Sequence, residues 1–496
     1  MGASKGTWAR GLALAGAASG AVFLSGWYLQ SRRAGVKPWR ISESQYAEDR
    51  RRLDAAVSRM PVMPGSVAKP DIVVIVLDTV RADRLGMYGY AEGTSPRLDA
   101  WSQNARIYDQ MMANAPWTLP SHASMFTGRY PIEHGAHGTP PESQETASAL
   151  APGSPTVARA LRSAGYRTAA IAANRAFLQS SFGLNQGFDL YLCETLGRSP
   201  RGVGYVSGDR MLALAEAFLS QKRSDDPLFL FLNFMDAHSP WVPREGYVRN
   251  EEKINFSLLP STPGWSEAEQ ALYAGGTMPE GGAESWSLAY DAELRFLDAQ
   301  VGALLERLPS LGIGSEDYVF ILSDHGEYLG EHGLLEHSKD VYEPVLHVPL
   351  LIQGPSYAPG RDAQPLQHHD LATMILAAAG LGSLPNAETT HQLQVAELYW
   401  TRRKDLHSPA YGDRFNRIRR AWRSGDLKLI LGSDGSAEAY DLEGDPSESR
   451  NQIHAEWAKE LQTVAELWLA DRVAAPVSAP DKSTDITALR ELGYLE

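Results

Sequence analysis

The amino-acid sequence predicts an α/β fold in which a mostly parallel sheet carries helices on both faces. Continuous apolar runs rich in β-branched residues alternate along the chain with stretches of helical periodicity, and this alternation is typical of βα units. Several apolar runs also end in polar side chains, at the strand ends where open α/β sheets bind ligands. The 496 residues suffice for one large domain of this kind and a smaller one.

The composition is that of a globular protein outside the nucleic-acid-binding class. Hydrophobic residues make up 43% of the chain and charged residues 21%, which excludes a disordered protein. The formal net charge of −14 argues against a nucleic-acid partner, because proteins that follow phosphate backbones concentrate lysine and arginine. Cys193 is the only cysteine, so neither an intrachain disulfide nor a thiolate metal site is available.

Residues 1–31 are predicted to be an N-terminal signal-anchor or transmembrane segment. The run from Gly11 to Ser31 has no charged residue and lies between basic residues on both sides. About 20 uncharged residues can cross a bilayer as a helix. The expected location is therefore membrane-anchored, facing the periplasm or the extracellular side; a cleaved signal peptide and a secreted protein are the second choice, and no export is the third. Residues 32–69 are predicted to be a stalk or linker.

Four apolar runs predict strands of the large sheet, within a main domain of residues 70–404. The runs are Asp71 to Leu77, Tyr166 to Ala173, Leu228 to Phe234 and Tyr318 to Leu322. Helical patterns begin near Thr156 and cover Trp286 to Leu308 and Leu371 to Gly380. The polar loop from Asn250 to Gly282 is a candidate lid or insertion.

Residues 405–496 are predicted to form a smaller subdomain, because the pattern changes to short strands joined by turn residues. The strand candidates are Arg417 to Trp422, Lys428 to Leu431 and Ala437 to Leu442. A helical pattern from Ile453 to Val473 follows them. This order indicates an antiparallel sheet packed with one terminal helix.

The segment from Asn114 to Arg129, NAPWTLPSHASMFTGR, predicts a helix whose first residues carry a hydroxyl group. Thr118 is expected at the N-cap, Pro120 in the first turn, and Gly128 at the C-terminal end. Free backbone N–H groups and the helix dipole favour an anion at this end, so the Thr118 hydroxyl is a candidate nucleophile toward a bound phosphate or sulfate. The alternative is an ordinary capping threonine.

Acidic and imidazole side chains follow two of the predicted strands. Asp78 comes directly after the first strand, and Asp324 and His325 follow the strand that ends at Leu322. Because the carboxyl ends of parallel strands meet at one edge of a sheet, we expect these side chains to lie near Thr118. Oxygen ligands with one imidazole suit Ca²⁺, Mg²⁺, Mn²⁺ or Zn²⁺.

Several segments resemble the sulfatase family of the alkaline phosphatase superfamily. Among them are VIVLDTVRADRLGMYGY, TLPSHASMFTGRYPIEHG, NFMDAHSPWVP, SDHGEYLGEHG and HSKDVYEPVLHVPLLI, which begin at Val74, Thr118, Asn233, Ser323 and His337. The resemblance extends in consistent order over about residues 70 to 496. It implies the alkaline-phosphatase-like fold, a catalytic role for residues 70–404, and hydrolysis of sulfuric or phosphoric esters or of phosphonate esters.

The resemblance places Thr118 at the position of the family nucleophile, where sulfatases oxidise a cysteine or serine to formylglycine. A threonine cannot form that aldehyde, so we expect no formylglycine. An unmodified Thr118 would instead form a covalent ester that needs a second attack by water or an acceptor. Members of the superfamily with threonine nucleophiles mostly handle phosphoryl groups, and phosphoryl substrates are therefore favoured.

The resemblance also implies the roles of further residues. One divalent ion, Mn²⁺ or Zn²⁺ with Ca²⁺ or Mg²⁺ as alternatives, would be held by Asp78, Thr118, Asp324 and His325. Thr79 stands where the family usually has a second aspartate. Positions that match contacts to the anionic ester are Arg129, His238, His337 and Lys339. His122 replaces the arginine that usually steadies the nucleophile, and His238 is the expected proton donor to the leaving group.

Two other functions remain open at this point. A transferase of the phosphoethanolamine or glycerophosphate type would also suit a membrane anchor. A catalytically silent anion-binding member would explain the altered nucleophile and the missing second aspartate. The natural substrate is not identified by these patterns, because leaving-group specificity resides in loops such as Asn250 to Gly282.

Overall fold

The computed structural model describes residues 43–491, except for residues 62–68, 144, 194–195, 197–204, 223–225, 242, 260–268, 270–271, 274–275, 386, 388–392, 407–410, 482–483 and 485. The predicted membrane segment, Gly11 to Ser31, lies outside these residues and stays a prediction. Within the described part of the chain, every helix is too short or too polar to cross a membrane.

Strands and helices alternate through the first two thirds of the chain. The strands are β1 (Ile72–Leu77), β2 (Arg106–Met112), β3 (Arg167–Ala172), β4 (Leu190–Leu192), β5 (Leu228–Phe234), β6 (Tyr318–Leu322), β7 (Tyr328–Leu329), β8 (Leu335–Glu336), β9 (Leu350–Gln353), β10 (Gly360–Gln367), β11 (Gln394–Tyr399), β12 (Ile418–Ser424), β13 (Leu427–Gly432) and β14 (Ala437–Asp441). The helices are α1 (Glu43–Val57), α2 (Pro96–Ser102), α3 (Thr118–Thr127), α4 (Pro131–His134), α5 (Val157–Ser163), α6 (Gly208–Leu219), α7 (Gly282–Arg307), α8 (Glu343–Leu346), α9 (His368–Ala378), α10 (Arg403–Leu406), α11 (Glu456–Ala470) and α12 (Ile486–Glu491).

The large sheet has the strand order β10-β2-β9-β6-β1-β5-β3-β4. Its strands pair in parallel except that β9 is antiparallel to both neighbours, so the predicted mostly parallel sheet is confirmed. The central strands β1, β5, β3 and β6 are buried along their whole length. This explains their continuous apolar sequences, since helices cover both faces of such a strand.

The four predicted strands agree with β1, β3, β5 and β6 to within one residue at each end. Strands β2 and β10 escaped the sequence analysis because they are amphipathic rather than uniformly apolar. Strand β10, GRDAQPLQ, lies at the edge of the sheet, is half exposed and contains Pro365, which an edge strand tolerates.

The C-terminal subdomain is the predicted antiparallel sheet with one helix. Strands β11 to β14 pair in sequence order, and α11 packs on β12 and β13. The first strand, β11, begins at Gln394, which precedes the predicted boundary at residue 405. The subdomain therefore starts earlier than predicted, because β11 completes the sheet by pairing with β12.

Part of the predicted stalk is packed against the main domain. Helix α1 lies on α6, Leu53 is completely buried, and Asp49 forms a buried ion pair with Arg210. A free linker is thus the wrong description for residues 43–57. Their apolar positions have a partner that the sequence pattern did not reveal.

Candidate active site

Four neighbouring strands place polar side chains at the same edge of the large sheet. Asp324 follows β6, Asp78 follows β1, Asn233 is the second-last residue of β5, and Asn174 lies just beyond β3. The spatial order of these strands is β6-β1-β5-β3, so the four side chains form a continuous row. This edge is the ligand-binding edge expected for an open α/β sheet.

Thr118 is the first residue of α3, and Trp117 in extended conformation is the N-cap. The prediction of Thr118 as N-cap is therefore wrong by one residue, because the chain enters the helix at Trp117. The predicted end at Gly128 is confirmed, since Gly128 has a φ of 69° at the C-cap. The amides of the first turn still lack intrahelical acceptors, so this end of α3 keeps its preference for anions.

The Thr118 hydroxyl lies between an amide and an imidazole. Asn174 Nδ2 donates to Thr118 Oγ1 at 3.2 Å, and His325 Nε2 is 3.4 Å from the same oxygen. Asn174 Nδ2 also donates to Asp78 Oδ2 at 3.0 Å. The side-chain oxygen of Asn174 accepts from the amides of Ala176 and Phe177, which fixes the orientation of its amide group. The nucleophile candidate is thus held in one position.

Asp78, Asp324 and His325 form the one group of ionisable residues, among those described, that has the spacing of a metal site. Their ligand atoms all lie within 4.8 Å of one another, and all three residues are buried. Asp78 Oδ1 and Asp324 Oδ2 have no hydrogen-bond partner in the described structure. Two buried carboxylate oxygens without donors are unfavourable in the ionised form unless a cation neutralises them, so the residues fit a divalent ion.

The tautomer of His325 agrees with that assignment. His325 Nδ1 donates to the Gly326 carbonyl oxygen at 2.9 Å, because a carbonyl only accepts. Its Nε2 therefore carries the lone pair that a metal ligand needs. Burial raises the pKa of Asp78 and, together with the charge of Asp78, that of Asp324. A bound cation would reverse both effects.

A second buried pair, His337 and Glu327, lies beside the metal group. His337 Nδ1 is 2.7 Å from Glu327 Oε1, and the His337 ring is 4.5 Å from the His325 ring, centroid to centroid. Burial raises the pKa of Glu327 to about 8 and lowers that of His337 to about 3. The uncharged pair has the Glu327 carboxyl donating to Nδ1, which leaves the hydrogen of His337 on Nε2.

His238 and Lys339 lie close to His337 but in different environments. The His238 ring is 4.8 Å from the His337 ring, and its Nδ1 donates to the Ser239 carbonyl oxygen. With its hydrogen on Nδ1, a neutral His238 has no hydrogen on Nε2 and could donate from Nε2 only as the charged imidazolium. Burial lowers the pKa of His238 and so opposes that charged form. The Lys339 ammonium is buried 3.5 Å from Glu336 Oε2 and 3.6 Å from Asp405 Oδ2.

Two predicted residues occupy positions that differ from their expected roles. His122 lies one turn below Thr118, where its Nδ1 donates to the Thr118 carbonyl oxygen at 2.9 Å and lies 3.6 Å from Asp324 Oδ2. Its contact with the candidate nucleophile is thus to the backbone of Thr118 and not to the hydroxyl. Arg129 follows the opposite end of α3 and donates to the Pro385 carbonyl oxygen at 3.3 Å. A ten-residue helix is about 15 Å long, so the structure does not bring Arg129 to Thr118.

Three residues of the site were missed in the sequence. Asn174 directly follows the predicted strand Tyr166 to Ala173, and the rule that singled out Asp78 would have found it. Asn233 donates to Asp78 Oδ2 at 3.3 Å, but it lies inside an apolar run and gave no signal. Glu327 stands two residues after His325, and only its burial distinguishes it from a surface glutamate.

Comparisons with known proteins agree with this fold and site. The family model described as Sulfatase matches residues 70–381. Choline-sulfatase of Rhizobium meliloti is 25% identical over 363 residues, which cover 64% of this chain and 69% of that protein. An uncharacterized sulfatase of Escherichia coli, YidJ, is 23% identical over 431 residues, 78% of this chain and 83% of its own length.

A solved structure with the same fold is the phosphonate monoester hydrolase of Agrobacterium radiobacter. It superposes with a TM-score of 0.61 at 19% identity and covers 81% of this chain and 95% of its own. The family match includes all the strands whose ends build the site, β1, β3, β5 and β6. The chain therefore belongs to the sulfatase family and is a hydrolase of its ester-cleaving class.

Proposed function

We propose that this protein is a metal-dependent hydrolase of phosphoric or phosphonic esters that uses Thr118 as its nucleophile. The observation that carries the proposal is the position of Thr118 Oγ1. It lies at the N-terminus of α3, within 3.4 Å of His325 and 3.2 Å of Asn174. A hydroxyl placed at an anion-binding helix end and beside a metal group has the position of an attacking group.

A phosphoryl substrate is favoured over a sulfate ester by the chemistry of threonine. A formylglycine hydrate expels sulfate by collapsing to an aldehyde, and Thr118 has no such route. A phosphothreonine ester can instead be cleaved by water at phosphorus.

The ion would be held by Asp78, Thr118, Asp324 and His325, with Mn²⁺ or Zn²⁺ favoured. When bound, it would polarise the ester and lower the pKa of the Thr118 hydroxyl. Asn174 would hold Thr118 Oγ1 in line with the phosphorus atom. The first-turn amides of α3 would stabilise the charge that develops on the other phosphate oxygens.

The reaction then has two steps. Thr118 Oγ1 bonds to phosphorus as the bond to the ester oxygen breaks. The ester oxygen gains the Nε2 hydrogen of His337 while the Glu327 carboxyl hydrogen moves to His337 Nδ1, and the Thr118 hydroxyl proton restores the hydrogen on Nε2. A water oxygen next bonds to phosphorus, Thr118 Oγ1 leaves with the Nε2 hydrogen, and a proton of that water replaces it on Nε2. We assign the proton donor as His337 rather than His238. The Glu327 carboxyl can donate to Nδ1 of His337, which leaves a hydrogen on its Nε2. The Ser239 carbonyl oxygen holds the hydrogen of neutral His238 on Nδ1, so its Nε2 has none to donate.

The experiment is a panel of p-nitrophenyl phosphate, bis-p-nitrophenyl phosphate, p-nitrophenyl phenylphosphonate and p-nitrophenyl sulfate, each assayed with Mn²⁺, Zn²⁺, Mg²⁺ and Ca²⁺. We expect phosphorus esters to be the better substrates. Thr118→Ala should lower kcat by roughly 10³-fold or more, whereas Thr118→Ser should keep measurable turnover because it keeps the hydroxyl.

Acid-quenched samples of the wild type should carry one phosphoryl group on Thr118, detected by peptide mass spectrometry. Turnover that survives Thr118→Ala would contradict the proposed nucleophile. Specific anion binding without any turnover would identify a silent member of the family, and transfer of the phosphoryl group to added alcohols in preference to water would identify a transferase.

A further inference from the structure

Thr79, next to the candidate metal ligand Asp78, has a backbone conformation that threonine rarely adopts. Its φ is 61°, in the left-handed region. A β-branched side chain is disfavoured there, and such a residue persists only where its surroundings hold it. Conformations of this kind concentrate at functional sites.

The Tyr290 hydroxyl forms hydrogen bonds to the backbone on both sides of Val80, in the turn that contains Thr79. Tyr290 lies on α7 and is completely buried. Its hydroxyl donates to the Thr79 carbonyl oxygen at 2.8 Å and accepts from the Arg81 amide at 3.1 Å. The two bonds connect the residues before and after Val80, so the turn closes around one hydroxyl group.

The conformation directs the Thr79 amide at the metal group. Thr79 N donates to Asp324 Oδ1 at 3.1 Å, and the His325 amide donates to the same oxygen at 2.9 Å. These two bonds occupy Oδ1 and leave Oδ2 without a hydrogen-bond partner among the described residues. Asp324 Oδ2 is therefore the oxygen presented to the ion.

We propose that Tyr290 is a positioning residue of the metal site. It keeps Thr79 in the left-handed conformation, Thr79 fixes the rotation of the Asp324 carboxylate, and Asp324 thereby presents a single oxygen. The inference rests on the proposed function for the identity of the site, and it adds a residue that belongs to neither the ligands nor the substrate contacts. Ligand-orienting partners of this type typically affect metal affinity 10- to 100-fold.

The test is a double-mutant cycle of Tyr290→Phe and Thr79→Gly, with Mn²⁺ affinity measured by isothermal titration calorimetry. Phenylalanine keeps the ring and removes only the hydroxyl. Glycine adopts a positive φ without strain, so a chain with Thr79→Gly no longer needs the hydroxyl to hold the turn. We expect Tyr290→Phe to weaken Mn²⁺ binding roughly 10-fold in the wild-type background and less than about 3-fold in the Thr79→Gly background.

The matched control is Tyr166→Phe. Tyr166 is also completely buried, and its hydroxyl has no hydrogen-bond partner within the described residues. Its loss should leave Mn²⁺ affinity unchanged, which separates positioning from the general effect of removing a buried hydroxyl.

An equal loss of affinity in both backgrounds would overturn the inference, as would unchanged binding by Tyr290→Phe or a wild type that binds none of Mn²⁺, Zn²⁺, Mg²⁺ and Ca²⁺. The readout does not depend on turnover. A cycle with the expected pattern in a protein that cleaves no ester would refute only the proposed function, and normal turnover with a flat cycle would refute only the inference.

Discussion

Asn174 donates a hydrogen bond to Thr118 Oγ1 across 56 positions of sequence. The same amide nitrogen donates to Asp78, so a single side chain joins the nucleophile candidate to a metal ligand. Its position beyond β3 and the position of Thr118 at the start of α3 are set by separate elements of the fold. The alignment of the nucleophile therefore depends on the packing of the sheet edge against α3.

Replacing Asn174 should impair catalysis. Asn174→Ala removes the donor to Thr118 Oγ1, and we expect kcat to fall roughly 10- to 100-fold because a mispositioned nucleophile loses alignment with phosphorus. Steady-state kinetics with the best phosphorus ester measures the effect. Asn104→Ala, at an exposed asparagine, is the control. A kcat equal to that of the control would show that Asn174 does not position Thr118.

Arg129 should prove dispensable for substrate binding. It lies beyond the far end of α3 and contacts Pro385. Arg129→Ala is expected to change kcat/KM by less than about 2-fold, because the side chain makes no contact in the described part of the site that could stabilise the transition state. His122→Ala, which removes the hydrogen bond to the Thr118 carbonyl oxygen, serves as the contrasting variant and should lower kcat. A large rise in KM for Arg129→Ala would restore its predicted role as a substrate contact.

The sequence predicts the centre of this protein better than its periphery. Strands β1, β3, β5 and β6 are buried on both faces, and a continuous apolar run is the direct consequence of such burial. Asp78, Asp324 and His325 could be found because they follow these runs. Strand β2 and helix α1 mix polar and apolar residues, and their partners become known only from the tertiary structure.

The same limit applies to residues whose role comes from long-range contacts. Glu327 acts through a hydrogen bond to His337, and Tyr290 acts through the backbone of a residue 211 positions away. Neither has a local pattern that distinguishes it from other glutamates and tyrosines. Arg129 shows the converse, since its place in a family motif did not predict its distance from Thr118.

Substitutions in the Glu327–His337 pair should slow the cleavage of esters to a degree that depends on the leaving group. If His337 donates a hydrogen to the departing oxygen, Glu327→Gln and His337→Asn will slow alkyl esters, whose alkoxides need a proton, more than p-nitrophenyl esters. General acid catalysis typically contributes 10²- to 10⁴-fold. The measurement is kcat/KM for matched alkyl and p-nitrophenyl phosphates. Equal losses for both substrates would indicate a structural rather than a proton-donating role.

Removal of the ion should lower stability as well as activity. A ligand that binds only the folded state at 100 times its Kd stabilises that state by about 2.7 kcal/mol. Chelation is therefore expected to lower the Tm, and added Mn²⁺ to restore it. Asp324→Asn, which weakens one carboxylate ligand, should abolish the response to Mn²⁺. A Tm of the wild type that ignores both chelator and ion would contradict the metal site.

The pH dependence of stability should contain a contribution from Asp298, which is not a member of the candidate metal group. Asp298 accepts hydrogen bonds from the amides of Arg97 and Leu98 at the start of α2. Its burial outweighs these bonds and raises its pKa from 3.8 to about 6. At about 1.4 kcal/mol per pH unit between the two values, ionisation of Asp298 lowers the free energy of unfolding by roughly 3 kcal/mol.

Because the folded-state pKa is the higher one, the favourable contribution is complete below pH 3.8 and is lost as the pH rises through about 6. Asp298→Asn cannot ionise and lacks this dependence. The Tm of Asp298→Asn minus that of the wild type should therefore increase between about pH 4 and about pH 7.5. Asparagine keeps one side-chain oxygen to accept from the Arg97 and Leu98 amides, but the loss of the other oxygen is the same at every pH. Asp471→Asn, at an exposed aspartate, controls for the loss of one charge. A difference that does not vary with pH would show that the two backbone bonds offset the burial of Asp298.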